Sequence, residues 1–472
     1  MKTTQFGNQT GIGASFRISE ICDKLFVHDC GIGFARSGEV DTTYLPEGNF
    51  LQGRRIDVII ITHTHYDHIG AILRLVRHHP EAYIIISDIA FRLLIAVMLD
   101  SLKISRKNEE WAREAGLPYE PLFNEEDLGR FVESNMLYTV NMADTTYWVR
   151  NTPWTGWNIG FDSAGHTSGA IMTFIESPGD RPALFTGDIS SRSSRTVIGQ
   201  MLPGESFLDG FLELPGLVMV TEATNGARRA TSTPEQVEEE IYNYLVKEVV
   251  PRDGIAFFPS FAQTKGGDIM KMLVEWGFRP WVDGLIRDVV RIEVPETEQW
   301  LKEEKIFFFD EDDREHADFQ RQQVARGEFG FTPVIASSAT LNKGVSVKHA
   351  EMILPERRNA IIFMGYTFEG SVAREMLNLG VERGRTIKLS RYVGRGKTVP
   401  VYVNVVCDVK HFDRSSHDYQ DGLVERARLV NPSTLIVEHC DDEGFEGFRT
   451  ALQAIAPQIP VIRGSHMKEI VV

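Results

Sequence analysis

The sequence predicts an α/β protein with more than one domain, on three observations. Residues 58–61 form a short apolar run of β-branched side chains without helical spacing, which is typical of a buried strand. Residues 82–102 have the pattern of a strand followed by an amphipathic helix. A chain of 472 residues is long for one hydrophobic core, so we expect two or three domains.

A second helix is predicted to begin at residue 234. Thr233, Pro234 and Gln236 supply a capping residue, a proline at the first helical position and a capping-box partner. Apolar side chains then recur at helical spacing and predict a stripe that faces the core, made of Val237, Ile241, Tyr244, Leu245 and Val249. The last residues, 468–472, have the pattern of a final strand.

The composition indicates an ordinary globular protein of the cytoplasm. It is 42% hydrophobic and 25% charged, and the chain opens without the apolar segment of a secretory signal. The most apolar stretch, residues 82–102, is interrupted by four polar side chains, so we expect no membrane span: Ser87, Asp88, Arg92 and Asp100. Four cysteines without CxxC spacing favour a reducing compartment: Cys22, Cys30, Cys407 and Cys440.

The net charge of −16 argues against a surface that coats nucleic acid without specificity. A basic stretch at residues 382–397 leaves two interpretations open, a solvated strand and turn or a face that follows phosphates. Residues 391–398 lack the first glycine of a phosphate-binding loop, because Arg391 stands there. Residues 31–38 fail the dinucleotide GxGxxG spacing at Arg36, so we expect no nucleotide cofactor.

Four groups that can bind a metal crowd the segment directly after the strand at 58–61. They are His63, His65, Asp67 and His68, and burying them together is costly unless something binds them. Imidazole nitrogens and carboxylate oxygens are ligands of borderline divalent ions such as zinc. We therefore expect most of a metal site where this strand ends.

Later apolar runs end in the same way. His166 lies in a glycine-flanked turn between two strand patterns, Asp188 follows the run at 182–186, and Glu438 and His439 follow the run at 434–437. Each signal alone is weak, because a histidine after a strand is usually an ordinary polar turn residue. Together they predict that several strand ends meet at one site.

These motifs resemble those of the metallo-β-lactamase fold: H-x-H-x-D-H after a strand, then G-H-T, then T-G-D. Asp29 matches the early aspartate of that fold, which supports the metal ligands from behind. His65, where a glutamate stands in the diiron members, makes the chain similar to the zinc hydrolases. The resemblance implies an αββα sandwich.

The segment between Asp188 and His439 resembles the β-CASP subfamily, the nucleases related to the messenger-RNA 3′-end cleavage factor. Its motif A acid falls on Glu222, its motif B histidine on His417 and its motif C residue on His439. The RNA-cleaving branch of the subfamily has a histidine at motif C, so His439 makes the chain similar to that branch. The implied architecture is a metallo-β-lactamase domain in two parts, residues 1–227 and 393–472, with an inserted α/β β-CASP domain at 228–392.

The resemblance also implies the chemistry. His63, His65 and His166 would hold one Zn²⁺, Asp67, His68 and His439 a second, and Asp188 would bridge them; Mn²⁺ suits the same ligands. Water activated between the ions, near Asp67, would attack single-stranded RNA, and His417, paired with Glu222, would protonate the leaving 3′-oxygen. The products would carry a 5′-phosphate and a 3′-hydroxyl. The resemblance implies endonuclease action and leaves 5′-3′ exonuclease action open.

The chain departs from the subfamily pattern at several substrate positions. Asp418 is adjacent to His417 where one residue should intervene, which leaves His411 as an alternative acid. Substrate contacts are predicted at Lys265, Ser337, Ser338, Lys343 and Arg391. Other functions left open are a non-catalytic scaffold of a processing complex, a DNA nuclease and a small-ester hydrolase; a homodimer or processing-complex partners are also expected.

Overall fold

A computed structural model of the protein describes residues 1–7, 12–34, 40–41, 51, 53–141, 146–149, 154–200, 214–310, 312–378, 384–394, 397–465 and 467–472. Three arginines of the stretches 31–38 and 382–397 lie outside these residues: Arg36, Arg383 and Arg395. Within the described part, no helix combines the length and apolarity that crossing a bilayer requires.

The first part of the chain supplies strands β1 to β13 and helices α1 to α4. The strands are β1 (Lys2–Phe6), β2 (Phe16–Ile21), β3 (Lys24–His28), β4 (Gly33–Phe34), β5 (Val40–Asp41), β6 (Val58–Ile60), β7 (Tyr83–Ser87), β8 (Leu137–Val140), β9 (Thr146–Val149), β10 (Asn158–Ser163), β11 (Ile171–Glu176), β12 (Ala183–Phe185) and β13 (Val218–Glu222). The helices are α1 (Tyr66–Ile69), α2 (Ile72–His78), α3 (Asp88–Ala115) and α4 (Glu125–Val132).

The middle of the chain forms a second lobe. Its helices are α5 (Pro234–Tyr244), α6 (Gly267–Glu275), α7 (Ile286–Glu293), α8 (Thr297–Lys302), α9 (Arg314–Arg326), α10 (Val345–Ile353) and α11 (Val372–Asn378). Its strands are β14 (Ile255–Pro259), β15 (Trp281–Asp283), β16 (Phe307–Phe308), β17 (Thr332–Ala336), β18 (Ala360–Met364), β19 (Arg385–Gly394), β20 (Lys397–Val405) and β21 (Asp408–Phe412).

The last part returns to the first lobe with α12 (Gln420–Val430), β22 (Thr434–Glu438), α13 (Asp442–Ile455), β23 (Val461–Arg463) and β24 (Glu469–Val471). Two seven-stranded sheets result, in the orders β24-β1-β2-β3-β6-β7-β8 and β23-β22-β13-β12-β11-β10-β9. Their facing side chains form one buried core. Helices α2, α3 and α4 cover the first sheet, and α12 and α13 cover the second, so the αββα sandwich is confirmed.

The position of strand β6 explains why its side chains do not alternate between apolar and polar. Val58 and Ile60 pack between the two sheets, whereas Ile59 packs under the helices on the other face. Both faces of this central strand are therefore buried, which favours β-branched apolar side chains throughout. The strand and helix predicted at 82–102 are confirmed as β7 and the first half of α3, which Ser87 caps.

The second lobe is built on a parallel sheet in the order β16-β15-β17-β14-β18-β21, with helices and a buried core on both faces. Its first helix has the predicted capping box between Thr233 and Gln236. Strand β21 pairs with β18, and the hairpin β19-β20 lies between them in sequence. Because β21 belongs to the sheet of the inserted lobe, this lobe extends beyond residue 392. The predicted boundary at that residue lies within β19.

Candidate metal centre

The ends of four neighbouring strands deliver the polar side chains of the site. His63 and His65 follow β6, Asp188 follows β12, Glu222 ends β13, and His439 follows β22. These strands run in parallel within each sheet, so their carboxyl ends lie at one edge of the sandwich. The turn between β10 and β11 and the short helix α1 add the remaining three residues: His166, Asp67 and His68.

Three histidines form the first group of donors. His65 Nδ1 lies 3.2 Å from His63 Nε2 and 3.2 Å from His166 Nε2. Burial lowers the pKa of the His63 and His166 imidazoles, and it lowers the pKa of His65 to about 4. All three rings are therefore neutral at pH 7, which is the form that binds a metal.

Asp67, His68 and His439 form the second group. His439 Nε2 lies 3.4 Å from Asp67 Oδ2, which in turn lies 4.0 Å from His68 Nε2. Asp188 stands between the groups, because its Oδ2 lies 3.8 Å from His63 Nε2 and 3.3 Å from His68 Nε2. A carboxylate in this position can reach an ion in either group.

The donors fit divalent cations. His68 Nε2 is buried and faces Asp188 Oδ2 at 3.3 Å, but it makes no well-aligned hydrogen bond within the described part of the chain. Burial opposes a charge on His68, but the Asp188 and Asp29 carboxylates outweigh it and raise the pKa of His68 well above its ordinary value. Without a metal the carboxylates thus retain a proton on this ring, and a cation beside Nε2 would replace that proton.

Residues behind the donors fix their orientation. Asp29 accepts hydrogen bonds from the backbone N–H of Thr62 at 2.8 Å and from the Thr62 hydroxyl at 2.7 Å. His68 Nδ1 donates to the same carboxylate at 2.7 Å, which leaves Nε2 as the atom that faces Asp188. His166 Nδ1 donates to the Ser416 carbonyl at 2.9 Å, so its Nε2 also points into the cluster. Asp29 therefore lies behind the donors and orients His68.

His417 and Glu222 form a pair at the side of the cluster. His417 Nδ1 lies 2.8 Å from Glu222 Oε1, and the backbone N–H groups of Ile189 and Thr224 donate to the same carboxylate. Burial opposes protonation of His417, but the Glu222 carboxylate outweighs it and raises the pKa of the imidazole. Glu222 thus favours the protonated form of His417, whose Nδ1 lies 3.9 Å from Asp188 Oδ2.

Two family models match the chain. The model of the Metallo-beta-lactamase superfamily matches residues 11–132, and the model of the Beta-Casp domain matches residues 283–376. The chain carries a metallo-β-lactamase-superfamily domain and a Beta-Casp domain.

Relatives of known name resemble the chain over most of its length. Probable RNase MJ4 of Methanocaldococcus jannaschii is 21% identical over 447 residues, which cover 91% of this chain and 92% of that protein. Endoribonuclease YSH1 of Eremothecium gossypii is 23% identical over 471 residues, which cover 94% of this chain but 56% of that protein. A crystal structure of a protein of unknown function from Enterococcus faecalis V583 shares the fold, with a TM-score of 0.57 and 10% identity over 100% of this chain and 99% of that chain.

His411, the alternative acid, does not join the cluster. It lies within β21 of the Beta-Casp lobe, and its Nε2 donates to the Gly365 carbonyl at 2.7 Å. Asp418, the residue whose spacing departs from the subfamily, accepts from the Ser191 backbone N–H at 2.8 Å and lies 3.3 Å from Arg426. Asp418 therefore holds the loop in place, and His417 is the histidine that faces the donors.

The predicted substrate contacts lie in the Beta-Casp lobe. Lys265 lines the cleft beside His166, and its Nζ donates to the Arg414 carbonyl at 2.5 Å. Ser337 and Ser338 follow β17 and Lys343 precedes α10, at the carboxyl edge of the Beta-Casp sheet. Arg391 is exposed on β19 and its Nε donates to Glu351 at 2.7 Å, so a phosphate would have to compete with that carboxylate. These assignments stay predictions.

Sequence reasoning missed the contacts that fix the Beta-Casp lobe against the metal lobe. Arg414 lies 2.9 Å from Glu238 and 2.8 Å from Asp268, and the backbone N–H of Arg195 also donates to Asp268. Gln263 Nε2 donates to the carbonyl of Thr64, the residue between His63 and His65, at 2.8 Å. No local pattern in the sequence marks these pairs, because their members come from distant segments.

Proposed function

We propose that the protein is a metal-dependent ribonuclease that hydrolyses phosphodiester bonds of single-stranded RNA. The observation that carries this proposal is the convergence of seven side chains able to bind metal with the His417–Glu222 pair at their edge. Two relatives with matching domains bear the names RNase and endoribonuclease. Lys265 and His166, one from each lobe, line the same small pocket beside the proposed ligands, where a phosphate could meet a cation.

The proposed ligands fall into two sets joined by Asp188. His63, His65 and His166 would hold one ion, and Asp67, His68 and His439 the other. The imidazole and carboxylate donors suit Zn²⁺ and also accept Mn²⁺. When bound, two such ions activate a water and neutralise charge on the scissile phosphate.

His417 supplies the proton that the leaving 3′-oxygen needs. Glu222 binds Nδ1–H and fixes the ring, so the opposite nitrogen, Nε2, can carry a transferable proton toward the cleft. The Glu222 carboxylate also stabilises the imidazolium before the reaction. Loss of the 3′-oxygen leaves a 5′-phosphate on one product and a 3′-hydroxyl on the other.

The test is cleavage of one internally labelled single-stranded RNA and of the matching DNA, with and without chelator. The wild-type protein is compared with the double variant Asp67→Ala, His68→Ala. RNA cut only by the metal-loaded wild type supports the proposal, and cleavage of DNA alone would favour a DNA nuclease instead.

Absence of cleavage with two metals bound per chain would favour the scaffold role. A cytoplasmic location, exonuclease action and assembly as a homodimer or with processing-complex subunits stay predictions. Sizing chromatography with light scattering tests the assembly, and RNA labelled at its 5′ end distinguishes the two modes of cleavage.

A further inference from the structure

Three aromatic side chains form a contiguous surface at the carboxyl edge of the Beta-Casp sheet, which we term the aromatic platform: Phe261, Tyr366 and Phe368. Phe261 follows β14, and Tyr366 and Phe368 follow its neighbour β18. The ring centroids of Tyr366 and Phe368 are 5.2 Å apart, and those of Phe261 and Phe368 are 5.9 Å apart, both edge to face. Tyr366 and Phe368 are each 43% exposed.

The loop that carries the platform is held rigidly. Arg374 donates twice to the Thr367 carbonyl, at 2.8 and 3.1 Å, and its guanidinium lies 5.6 Å from the centroid of the Tyr366 ring. The Ser371 hydroxyl donates to the Phe368 carbonyl at 2.6 Å. The backbone between the two exposed rings is thus hydrogen-bonded at Thr367 and Phe368, although the rings contribute little to a core. Rings presented in this way bind a flat partner at low entropic cost.

The chain that carries the platform passes close to the segment that contacts the metal centre. A Cβ at Gly365 would lie 2.9 Å from the Arg414 carbonyl oxygen, which also accepts the Lys265 ammonium. Ser416, two residues after Arg414, accepts the hydrogen bond of His166. Two residues of extended chain span at most about 7 Å. The aromatic surface therefore begins within a short distance of the metal ligands, on the side of the cleft formed by the Beta-Casp lobe.

We infer that Tyr366 and Phe368 stack against bases of the substrate strand and so position the neighbouring phosphodiester at the metal centre. This deepens the proposed function and rests on it. Aromatic rings next to cationic side chains are the usual means of holding a single strand, because every base has a stackable face. Here the cations are Lys265, whose Cε lies 4.0 Å from the Cβ position of Gly365, and Arg374, which lies beside the Tyr366 ring and pairs with Glu369 at 3.2 Å. The platform gives affinity with little sequence preference.

Binding of a fluorescent single-stranded oligoribonucleotide tests the inference by anisotropy. It is measured on the full chain carrying Asp67→Ala and His68→Ala, so that the strand stays intact. Tyr366→Ala and Phe368→Ala should each weaken binding about tenfold, whereas Tyr366→Phe and Phe368→Tyr should keep it near the starting value. The matched control is Phe319→Ala, which removes a ring that is 52% exposed on α9 and should change nothing.

A second strand of the same length, with ribose and phosphate but no bases, separates stacking from other effects. Its binding should be the same with and without the platform rings. Equal binding of the normal strand by the alanine variants would overturn the inference and leave the ribonuclease proposal intact, since wild-type cleavage is measured separately. An equal loss on both strands would also overturn it. A wild-type protein that neither binds nor cuts RNA would remove both proposals.

Discussion

Replacement of Glu293 by glutamine should change how stability depends on pH. Glu293 ends α7, and its two carboxylate oxygens accept the backbone N–H of Thr264 at 2.8 and 3.0 Å. Burial raises the pKa of Glu293 from 4.5 to about 8. Because the folded state binds this proton more tightly, the stability it contributes is complete below pH 4.5 and is lost as the pH rises to about 8.

The size of the effect follows from the two pKa values. A difference of one between the folded and unfolded pKa values is worth about 1.4 kcal/mol of stability. The rise in the pKa of Glu293 from 4.5 to about 8 therefore gives an upper bound of roughly 5 kcal/mol. Glutamine does not titrate. As the pH rises from about 4.5 to about 8, the free energy of unfolding of Glu293→Gln should therefore increase by several kcal/mol relative to that of the wild type. The Thr264 N–H keeps an amide oxygen as its acceptor.

Urea unfolding across this range measures the free energies of both proteins. Glu315→Gln, which changes an exposed glutamate in the first turn of α9, serves as the matched control and should follow the wild-type slope. If Glu293→Gln also follows the wild-type slope, then Glu293 is ionised in the folded protein and the reasoning from its burial is refuted.

Three further perturbations test the site and the contact between the lobes. His417→Ala should lower kcat about 10²- to 10⁴-fold with an unchanged metal content by mass spectrometry; a variant as fast as wild type would remove His417 from the reaction. A chelator should abolish cleavage and lower the melting temperature, since ions that bind only the folded state stabilise it, and an unchanged melting temperature would contradict the metal centre. Asp268→Ala should cost about 3–5 kcal/mol in urea unfolding, because it leaves Arg414 as a buried charge without this partner; a loss below about 1 kcal/mol would show that Glu238 alone suffices.

The sequence was sufficient to predict that side chains following apolar strands would meet at one site. Glu438, considered together with His439, is the exception, because it accepts a hydrogen bond from Arg17 at 2.5 Å and does not join the cluster. The carboxyl ends of parallel strands lie at one edge of a sheet, so His63, Asp188 and His439 could be expected to converge although they are far apart in the chain. The choice between His411 and His417 could not be made in this way. The two histidines are only six residues apart in the chain. Only the pairing of β21 with β18 places His411 within the Beta-Casp sheet.

The extent of the inserted lobe was harder to predict for a related reason. The hairpin β19-β20 precedes the last strand of the lobe. Its basic stretch allowed two interpretations, a solvated strand and turn or a face that follows phosphates, and neither indicates where a domain ends. No local sequence pattern predicts the contacts between the lobes that Arg414, Asp268 and Gln263 make. Pairs between distant segments depend on how two folded units dock, which neither hydrophobic periodicity nor local motifs encode.

The adjacency of β13 and β22 in one sheet has a consequence for folding kinetics. These strands are hydrogen-bonded neighbours, yet the whole Beta-Casp lobe separates them in the chain. Closing a flexible loop of that length costs on the order of 5 kcal/mol in chain entropy. A lobe that folds first brings its two ends together and removes most of this cost, so we expect the insert to fold before the second sheet is complete. Substitutions in the core of the insert should therefore slow the assembly of Glu222 and His439, which lie at the ends of these two strands, even though they touch neither residue.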